Sequence, residues 1–331
     1  MIKDATALRH GAVPQDLYHR DGQIDHISSI LDPSSFEWAE DVCIFGPSGA
    51  GKTTIAKYVL RELEREILDI RWGYVNCMAD NTAASAIYKL VRDLGLGADL
   101  REGVSTSRML DRLKQFDGQI VAVLDEVYSV EERAVLALET VPNVSLVAIT
   151  IDQDEWFTAL SAQAKSRMQC AATVRLEKYH HHELVDILNS RVSHGLRTSR
   201  VDSEAVEYIA DLAAGNARKA IATLRHAAVH VGDGHTEQLD VSVVEAISDD
   251  VDGELRDRNV RSLGSHHRLL LRLIENAGSI DAGTLHARYD DSAQDPKSRS
   301  TRHRYLNDLQ YRDLVEIDGD GRGSTYHALR K

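Results

Sequence analysis

The stretch Gly46-Pro47-Ser48-Gly49-Ala50-Gly51-Lys52-Thr53 has the spacing G-x-x-x-x-G-K-[ST], which is typical of phosphate-binding loops. An apolar run over residues 41–45 predicts a buried strand before it, and apolar spacing over 54–67 predicts a helix after it. In such a loop, backbone N–H groups surround a triphosphate, the lysine reaches the β and γ phosphates, and the threonine hydroxyl binds Mg²⁺. We therefore predict ATP or ADP with Mg²⁺, held by Pro47, Ser48, Gly49, Ala50, Gly51, Lys52, Thr53 and Thr54.

Two acidic residues follow a second apolar run, residues 119–124, at the predicted end of a buried strand. Asp125 is predicted to hold Mg²⁺ together with Thr53, and Glu126 to orient and activate the attacking water as the catalytic base. Four apolar runs separated by helical patterns predict an α/β domain over residues 1–175, with a doubly wound, mostly parallel sheet. Ligands of such sheets bind at the carboxyl ends of the strands, where the loop and Asp125 both fall.

The composition of the 331 residues excludes several other classes of protein. No run of about 18 apolar residues occurs, and the N-terminus lacks the apolar core of a signal peptide, so we expect a cytoplasmic protein without a membrane partner. The three cysteines lie far apart, and the consecutive histidines 180–182 would point in different directions on a helix, so we predict no disulfide and no metal site there. The net charge of −13 argues against nucleic-acid binding along the whole chain, but residues 256–331 carry 14 Lys and Arg against 11 Asp and Glu.

The C-terminal part of the chain changes from alternating strands and helices to helices alone. We predict a helical lid domain over 176–252, a linker over 253–265, and a winged-helix domain over 266–331, in which a β-hairpin follows three helices. The third helix and the hairpin tip are predicted to bind duplex DNA, although such a domain can serve protein contacts instead. The predicted DNA-binding residues are Arg299, Thr301, Arg302, Arg304, Arg322 and Ser324.

Two further segments, an N-terminal arm and the surroundings of Arg218, leave alternatives open. The arm, residues 14–21, could lie over an adenine ring, or it could belong to an ordinary helix that packs on the core. Arg218 begins a helix after a Gly-Asn break, and its side chain would point either into a cleft or into solvent.

Together these motifs resemble the archaeal origin-recognition and cell-division-control initiator family, a branch of the AAA+ ATPases, over nearly the whole chain. Residues 46–53 match the Walker A motif of that family, 124–126 its Walker B motif, and 215–220 its sensor 2 signature, which places the catalytic Arg218 near the γ-phosphate. The resemblance implies ATP-dependent binding of double-stranded origin DNA in the nucleoid and help in loading the replicative helicase, with paralogous initiators as further partners. The nucleotide-binding residues added here are Leu17, His19 and Arg20, on the L-x-H-R pattern of an N-terminal clasp, together with Tyr179 and Arg218.

The chain departs from that family at positions that serve hydrolysis. Ile151 stands near the place of the sensor 1 asparagine, and an apolar side chain cannot hold the attacking water. Gln163 stands near the arginine finger and carries no charge, while Arg167, one helical turn on, is a candidate substitute. The stretch 127–143 is short, so the extra DNA-touching helix of the family is predicted to be trimmed or lost.

We therefore predict an ATP-dependent replication initiator-like protein in which ATP acts as a conformational switch and hydrolysis is slow or impaired. The alternative is a divergent paralogue that acts as a nucleotide-gated DNA-binding regulator or as a mobile-element replication or partition factor. A third class is an ATPase that works with protein partners and has no role on DNA.

Overall fold

A parallel five-stranded sheet lies at the centre of the first of two units, Met1–Glu245 and Ala246–Lys331, into which the chain divides. The computed structural model describes residues 1–9, 13–14, 17–32, 39–234, 236–319 and 323–329. The strands are β1 (Val42–Phe45), β2 (Ile70–Asn76), β3 (Gln119–Asp125), β4 (Val144–Thr150) and β5 (Ala172–Arg175). Their order in the sheet is β2-β3-β4-β1-β5, and each neighbouring pair is parallel.

Helices cover both faces of this sheet. One face packs against buried residues of α1 (Asp21–Leu31) and α2 (Lys52–Glu66), and the other against buried residues of α3 (Ala83–Asp93), α4 (Thr106–Lys114) and α5 (Glu132–Glu139). Every residue of β1, β3 and β4 is buried, which is why these strands are predominantly apolar in sequence. The predicted doubly wound α/β sheet is therefore confirmed. This layer also includes α6 (Gln153–Ala159) and α7 (Ala162–Cys170).

A group of helices follows β5 in the region predicted as the lid. They are α8 (His181–Gly195), α9 (Ser203–Ala213), α10 (Ala217–Gly232) and the beginning of α11 (Val241–Ser262). Ala214 and Gly215 both have left-handed backbones, with φ of 47° and 84°, and this break separates α9 from α10. The Asn216 side chain then accepts a hydrogen bond from the Lys219 N–H at 3.1 Å and caps α10.

After α11, the described part of the second unit contains three further helices and a small antiparallel sheet, which agrees with the predicted winged helix. Its elements after α11 are α12 (Ser265–Ala277), β6 (Ser279–Asp281), α13 (Ala282–Ser292), α14 (Arg299–Tyr311), β7 (Val315–Asp318) and β8 (Thr325–Ala328). The strand order is β6-β8-β7. Most of the segment predicted as a linker, 253–265, is helical because α11 continues to Ser262, with an Arg261–Asp257 ion pair of 3.8 Å on its surface. The predicted domain limits remain a prediction.

The cysteines and the consecutive histidines, for which no disulfide and no metal site was predicted, lie in the following environments. Cys43 and Cys77 are buried thiols, and Cys170 is exposed. His181 contacts Asp211 at 3.1 Å, whereas the His182 ring meets the edge of His19. Within the described part of the chain, no helix combines the length and apolar character that a bilayer span requires.

A buried histidine–aspartate pair joins α12 to α14. His267 Nε2 lies 2.9 Å from Asp308 Oδ2, and their side chains are only 3% and 5% exposed. The His267 ring also lies 4.1 Å from that of Tyr305, between centroids. Buried polar partners of this kind hold two helices in one relative orientation, because a buried polar group that loses a hydrogen bond is costly.

We expect Asp308→Ala to destabilise the second unit by about 3 kcal/mol or more, since the substitution leaves His267 buried without its partner. Hydrogen exchange of the α12 and α14 amides in the full chain measures this, and Asp291→Ala, at an exposed position on α13, is the control. Equal protection of the two variants would contradict this assignment of the pair.

Candidate functional site

The loop between β1 and α2 has a backbone that only residues without side chains adopt readily. Gly49 and Gly51 have φ of 78° and 92°. A Cβ on Gly49 would lie 2.0 Å from Oδ1 of Asn216, and a Cβ on Gly51 would lie 2.7 Å from the Tyr179 hydroxyl. The glycines therefore serve both the turn of the loop and the close approach of the lid.

Lys52 and Thr53 begin α2 at the carboxyl edge of the sheet. Lys52 Nζ donates hydrogen bonds to the carbonyl oxygens of Gly46 at 2.6 Å and Pro47 at 2.9 Å. The Thr53 hydroxyl donates to Oδ2 of Asp125 at 2.8 Å. The helix N-terminus, a cation, a hydroxyl and a carboxylate thus meet in one place, which suits a phosphate with a hard divalent cation.

Asp125 is a buried carboxylate that accepts three hydrogen bonds. It is 8% exposed, and Glu126 N–H donates to its Oδ1 at 3.1 Å while Thr53 and Tyr74 donate to its Oδ2. Burial raises the pKa of Asp125 and the charge of Glu126 raises it further, whereas the two hydroxyl donors and Lys52 oppose the rise. A buried anion held in this way is a strong ligand for a cation.

Glu126 stands directly after β3 with a left-handed backbone, φ 56°. Such a conformation is costly for a residue with a side chain and is found mainly where surrounding structure imposes it, often at functional sites. The turn Val127–Ser129 and then α5 follow, and α5 buries Ala134, Val135 and Leu138 in the core.

The N-terminal arm contacts both the loop and the lid. Arg20 is 6% exposed, and its Nη2 donates to the carbonyl oxygens of Glu177 at 2.8 Å and Ala50 at 3.3 Å. Its guanidinium lies 4.2 Å from the ring centroid of Tyr179. His19 Nε2 lies 2.8 Å from Oδ2 of Asp186 on α8. The arm therefore reaches the loop and α1 packs on the core, while the contact of the arm with an adenine ring stays a prediction.

A cleft beside the loop joins these segments. Apolar and aromatic side chains dominate its lining, which is the surface that a purine ring favours. The lining includes Leu17, Tyr18, Gly51, Thr54, Tyr179 and Ala217. Four predicted nucleotide-binding residues therefore line one cleft, next to the phosphate-binding loop.

The start of α10 rests on the phosphate-binding loop. Ala217 N–H donates to the Gly49 carbonyl at 3.2 Å, and Tyr179 N–H donates to the Gly215 carbonyl at 3.2 Å. Arg218 is the next residue after this contact and is half-buried. Its place at the first turn of a helix that touches the loop agrees with the cleft alternative, and its catalytic role stays a prediction.

The structure locates Ile151 and Gln163, where the sequence departs from the family at positions that serve hydrolysis, and the candidate substitute Arg167. Ile151 follows β4, and its carbonyl accepts a hydrogen bond from Gly46 N–H at 3.3 Å. Gln163 lies on α7. Arg167 on the same helix makes a two-bond ion pair with Asp41, at 2.9 and 3.3 Å, and both side chains are nearly buried. Because Asp41 precedes β1, this pair lies at the edge of the sheet opposite the loop, and it engages Arg167 within its own subunit.

Comparisons with known proteins agree with this architecture. Residues 41–152 match the family described as AAA domain, and residues 185–248 match the Cdc6 AAA+ ATPase-type lid domain. The chain is 32% identical over 330 residues to ORC1-type DNA replication protein 9 of Halobacterium salinarum, covering 98% of this chain and 93% of that one. The chain belongs to the archaeal ORC1/Cdc6 family. The predicted family is thereby confirmed.

Other members of the ORC1/Cdc6 family support the assignment. ORC1-type DNA replication protein 1 of Halobacterium salinarum is 31% identical over 90% of this chain and 98% of its own length. The fold is shared with the Aeropyrum pernix ORC1 protein in complex with DNA, with a TM-score of 0.73, 24% identity, and coverage of 98% and 92% of the two chains. The Aeropyrum pernix ORC2 protein in ADPNP–ADP complexes gives a TM-score of 0.66 at 22% identity, over 99% and 94%.

The predicted DNA-binding residues of this ORC1/Cdc6 member fall in different environments. Arg299 at the start of α14 is exposed, and Thr301 and Arg304 are half-buried. The prediction that Arg302 contacts DNA is wrong, because this side chain is only 5% exposed. The same prediction for Ser324 is also wrong, since this residue is 2% exposed and its hydroxyl donates to the Gly319 carbonyl at 3.2 Å. Arg322 lies outside the described residues.

Arg302 binds α13 instead of a surface ligand. Its Nη1 lies 3.1 Å from Oδ1 of Asp290 and donates to the His286 carbonyl at 3.1 Å. Its guanidinium also lies 4.9 Å from the ring centroid of Tyr289. The four residues after Ser298 thus divide between one that anchors the helix and others that remain on its surface.

Tyr74 is a site residue that the sequence analysis missed. Its hydroxyl donates to Oδ2 of Asp125 at 2.8 Å, and burial together with the Asp125 charge raises the pKa of Tyr74, so the hydroxyl remains a donor. The sequence of β2 predicted a strand, but it did not predict the register of that strand beside β3. Only this register brings Tyr74 close to Asp125.

We expect Gly49→Ala to lower ATP affinity at least about tenfold, because the new methyl group meets Asn216 and the φ of 78° is strained. Titration with a fluorescent ATP analogue measures the affinity, and faster proteolysis at α10 would report displacement of the lid. Gly22→Ala is the control, since no atom lies within 4 Å of its added carbon. Unchanged affinity and protection of Gly49→Ala would contradict the packing described.

Proposed function

We propose that this ORC1/Cdc6 member is an ATP-dependent replication initiator that binds duplex origin DNA through its C-terminal winged unit. Its relatives are ORC1-type DNA replication proteins, and the similar Aeropyrum pernix ORC1 structure is a complex with DNA. A replicative helicase and paralogous initiators are the proposed protein partners. The observation that carries the proposal is the joint contact of loop, arm and lid around Gly49, Gly51 and Tyr179.

The residues of the first unit fit a nucleotide with its cation. The loop backbone and Lys52 would hold the phosphates, Thr53 and Asp125 the Mg²⁺, and the cleft beside Leu17 and Tyr179 the base. When bound, the cation would supply positive charge that neutralises phosphate oxygens. Glu126 is proposed as the base that orients water, from its position beside Asp125 at the end of β3.

The lid contact supports the proposal that ATP is a conformational switch. Asn216 and Ala217 touch Gly49 directly, so a change in the loop on phosphate binding would act on the first turn of α10. Arg218 stands in that turn and is proposed to sense the γ-phosphate. A ligand shifts such an equilibrium only by its differential affinity for the two lid positions.

Slow hydrolysis is the second part of the proposal. Ile151 offers a carbonyl but no polar side chain, Gln163 carries no charge, and Arg167 is engaged by Asp41. Loss of an arginine finger typically lowers the rate about 10³-fold or more. Binding without fast turnover would suit a switch that stays in one state for long periods.

We expect Lys52→Ala to lower ATP affinity about 10- to 100-fold, because the ammonium group that would bond the phosphates is removed. Isothermal titration in the presence of Mg²⁺ measures the constant. Lys114→Ala, an exposed lysine at the end of α4, makes the same chemical change away from the site. ATP binding that is indifferent to Lys52→Ala would count against the nucleotide site.

We expect Arg299→Ala to weaken binding of duplex DNA and to reduce the slope of log affinity against log salt by about one, as for the loss of one phosphate contact. Arg302→Ala is expected instead to lower the thermal stability of the second unit, since Asp290 loses its partner. Arg272→Ala, exposed on α12, is the control for net charge. A salt slope unchanged by Arg299→Ala would remove α14 from the proposed interface.

The second candidate is a divergent paralogue that acts as a nucleotide-gated regulator or as a mobile-element replication or partition factor. The departures at Ile151 and Gln163 favour it. Mapping bound DNA on the chromosome separates the two, since origin repeats favour the initiator and promoters the regulator. Absence of DNA binding in a gel shift would favour the third class, an ATPase that acts on protein partners alone.

A further inference from the structure

Tyr74 contacts the proposed magnesium site without being one of its ligands. Its hydroxyl and that of Thr53 both donate to Oδ2 of Asp125, each at 2.8 Å, while Glu126 N–H donates to Oδ1. Thr53 is itself a proposed ligand of the cation. Tyr74 is therefore the side chain that holds Asp125 from outside the proposed ligand set.

Three contacts fix the position of the Tyr74 hydroxyl. Lys57 on α2 places its ammonium nitrogen 3.5 Å from the ring centroid of Tyr74. The Tyr74 backbone N–H, on the edge strand β2, donates to Oδ2 of Asp93 at 2.8 Å. The hydroxyl bond to Asp125 is the third contact. A hydroxyl held in this way imposes one orientation on the carboxylate that it touches.

We propose that Tyr74 is a positioning residue that holds Asp125 in the orientation required by the cation of a bound nucleotide. The inference rests on the proposed function, because it presupposes a magnesium–nucleotide complex on the loop. A buried carboxylate that loses a hydrogen-bond donor has more rotational freedom, so its oxygen atoms are held less firmly in the orientation that the cation requires. Partners of metal ligands typically contribute a factor of about 10–100 to metal affinity.

The test is Tyr74→Phe in the full chain, which removes one oxygen atom and keeps the ring beneath Lys57. Binding of N-methylanthraniloyl-ATP is followed by fluorescence, first in EDTA and then during titration with Mg²⁺. We expect the EDTA affinity to equal that of the wild type, and the Mg²⁺ midpoint to rise about tenfold or more. Occupancy by Mn²⁺, measured directly by electron paramagnetic resonance, should show the same shift.

Tyr88→Phe is the matched control. Its hydroxyl lies on α3, 3.5 Å from the Leu100 carbonyl, and the substitution is chemically identical. A Tyr74→Phe midpoint equal to those of Tyr88→Phe and wild type would overturn the inference. So would an equal loss of affinity with and without the cation, which indicates a purely structural role. Failure of the wild type to bind the analogue at all would overturn the proposed function instead.

Discussion

The parallel pairing of β1, β4 and β3 is the constraint on which the nucleotide site depends. Parallel strands end at the same edge of a sheet, so the loop after β1 and the carboxylate that ends β3 meet there. The Thr53–Asp125 hydrogen bond joins residues 72 positions apart in the chain. Both faces of the sheet are covered by helices. Because Asp125 is buried beneath them, its carboxylate would attract a cation more strongly than an exposed carboxylate would.

A second feature follows from the absence of a side chain at two positions of the loop. Gly49 and Gly51 leave space that Asn216 and Tyr179 occupy, and the arm adds Arg20 from the other side. Three segments that are distant in sequence, containing Arg20, Tyr179 and Asn216, thus contact the phosphate-binding loop. Tight coupling between loop and lid is a direct result, since neither can move far without disturbing the other.

The sequence predicted the elements more fully than the side-chain directions. Strand, glycine loop and helix in order, with an acidic pair after a later strand, were sufficient to predict the sheet and the position of the loop beside Asp125. The sequence could not distinguish Arg299 from Arg302, because an arginine is buried only when partners such as Asp290 and Tyr289 surround it. The contact of Tyr74 with Asp125 depends on strand register, and register is fixed by packing of the whole sheet rather than by either residue.

The separation of buried and exposed residues along α14 has a consequence for substitutions in this helix. Arg302, Tyr305 and Asp308 fasten the helix from within, while Arg299, Ser300 and His303 are exposed. Under the DNA-binding role proposed for α14, substitutions on its exposed side would change the DNA contacts and leave the buried contacts of the helix intact. Under the same proposal, a new DNA preference would require only a few substitutions and would cost the second unit little stability.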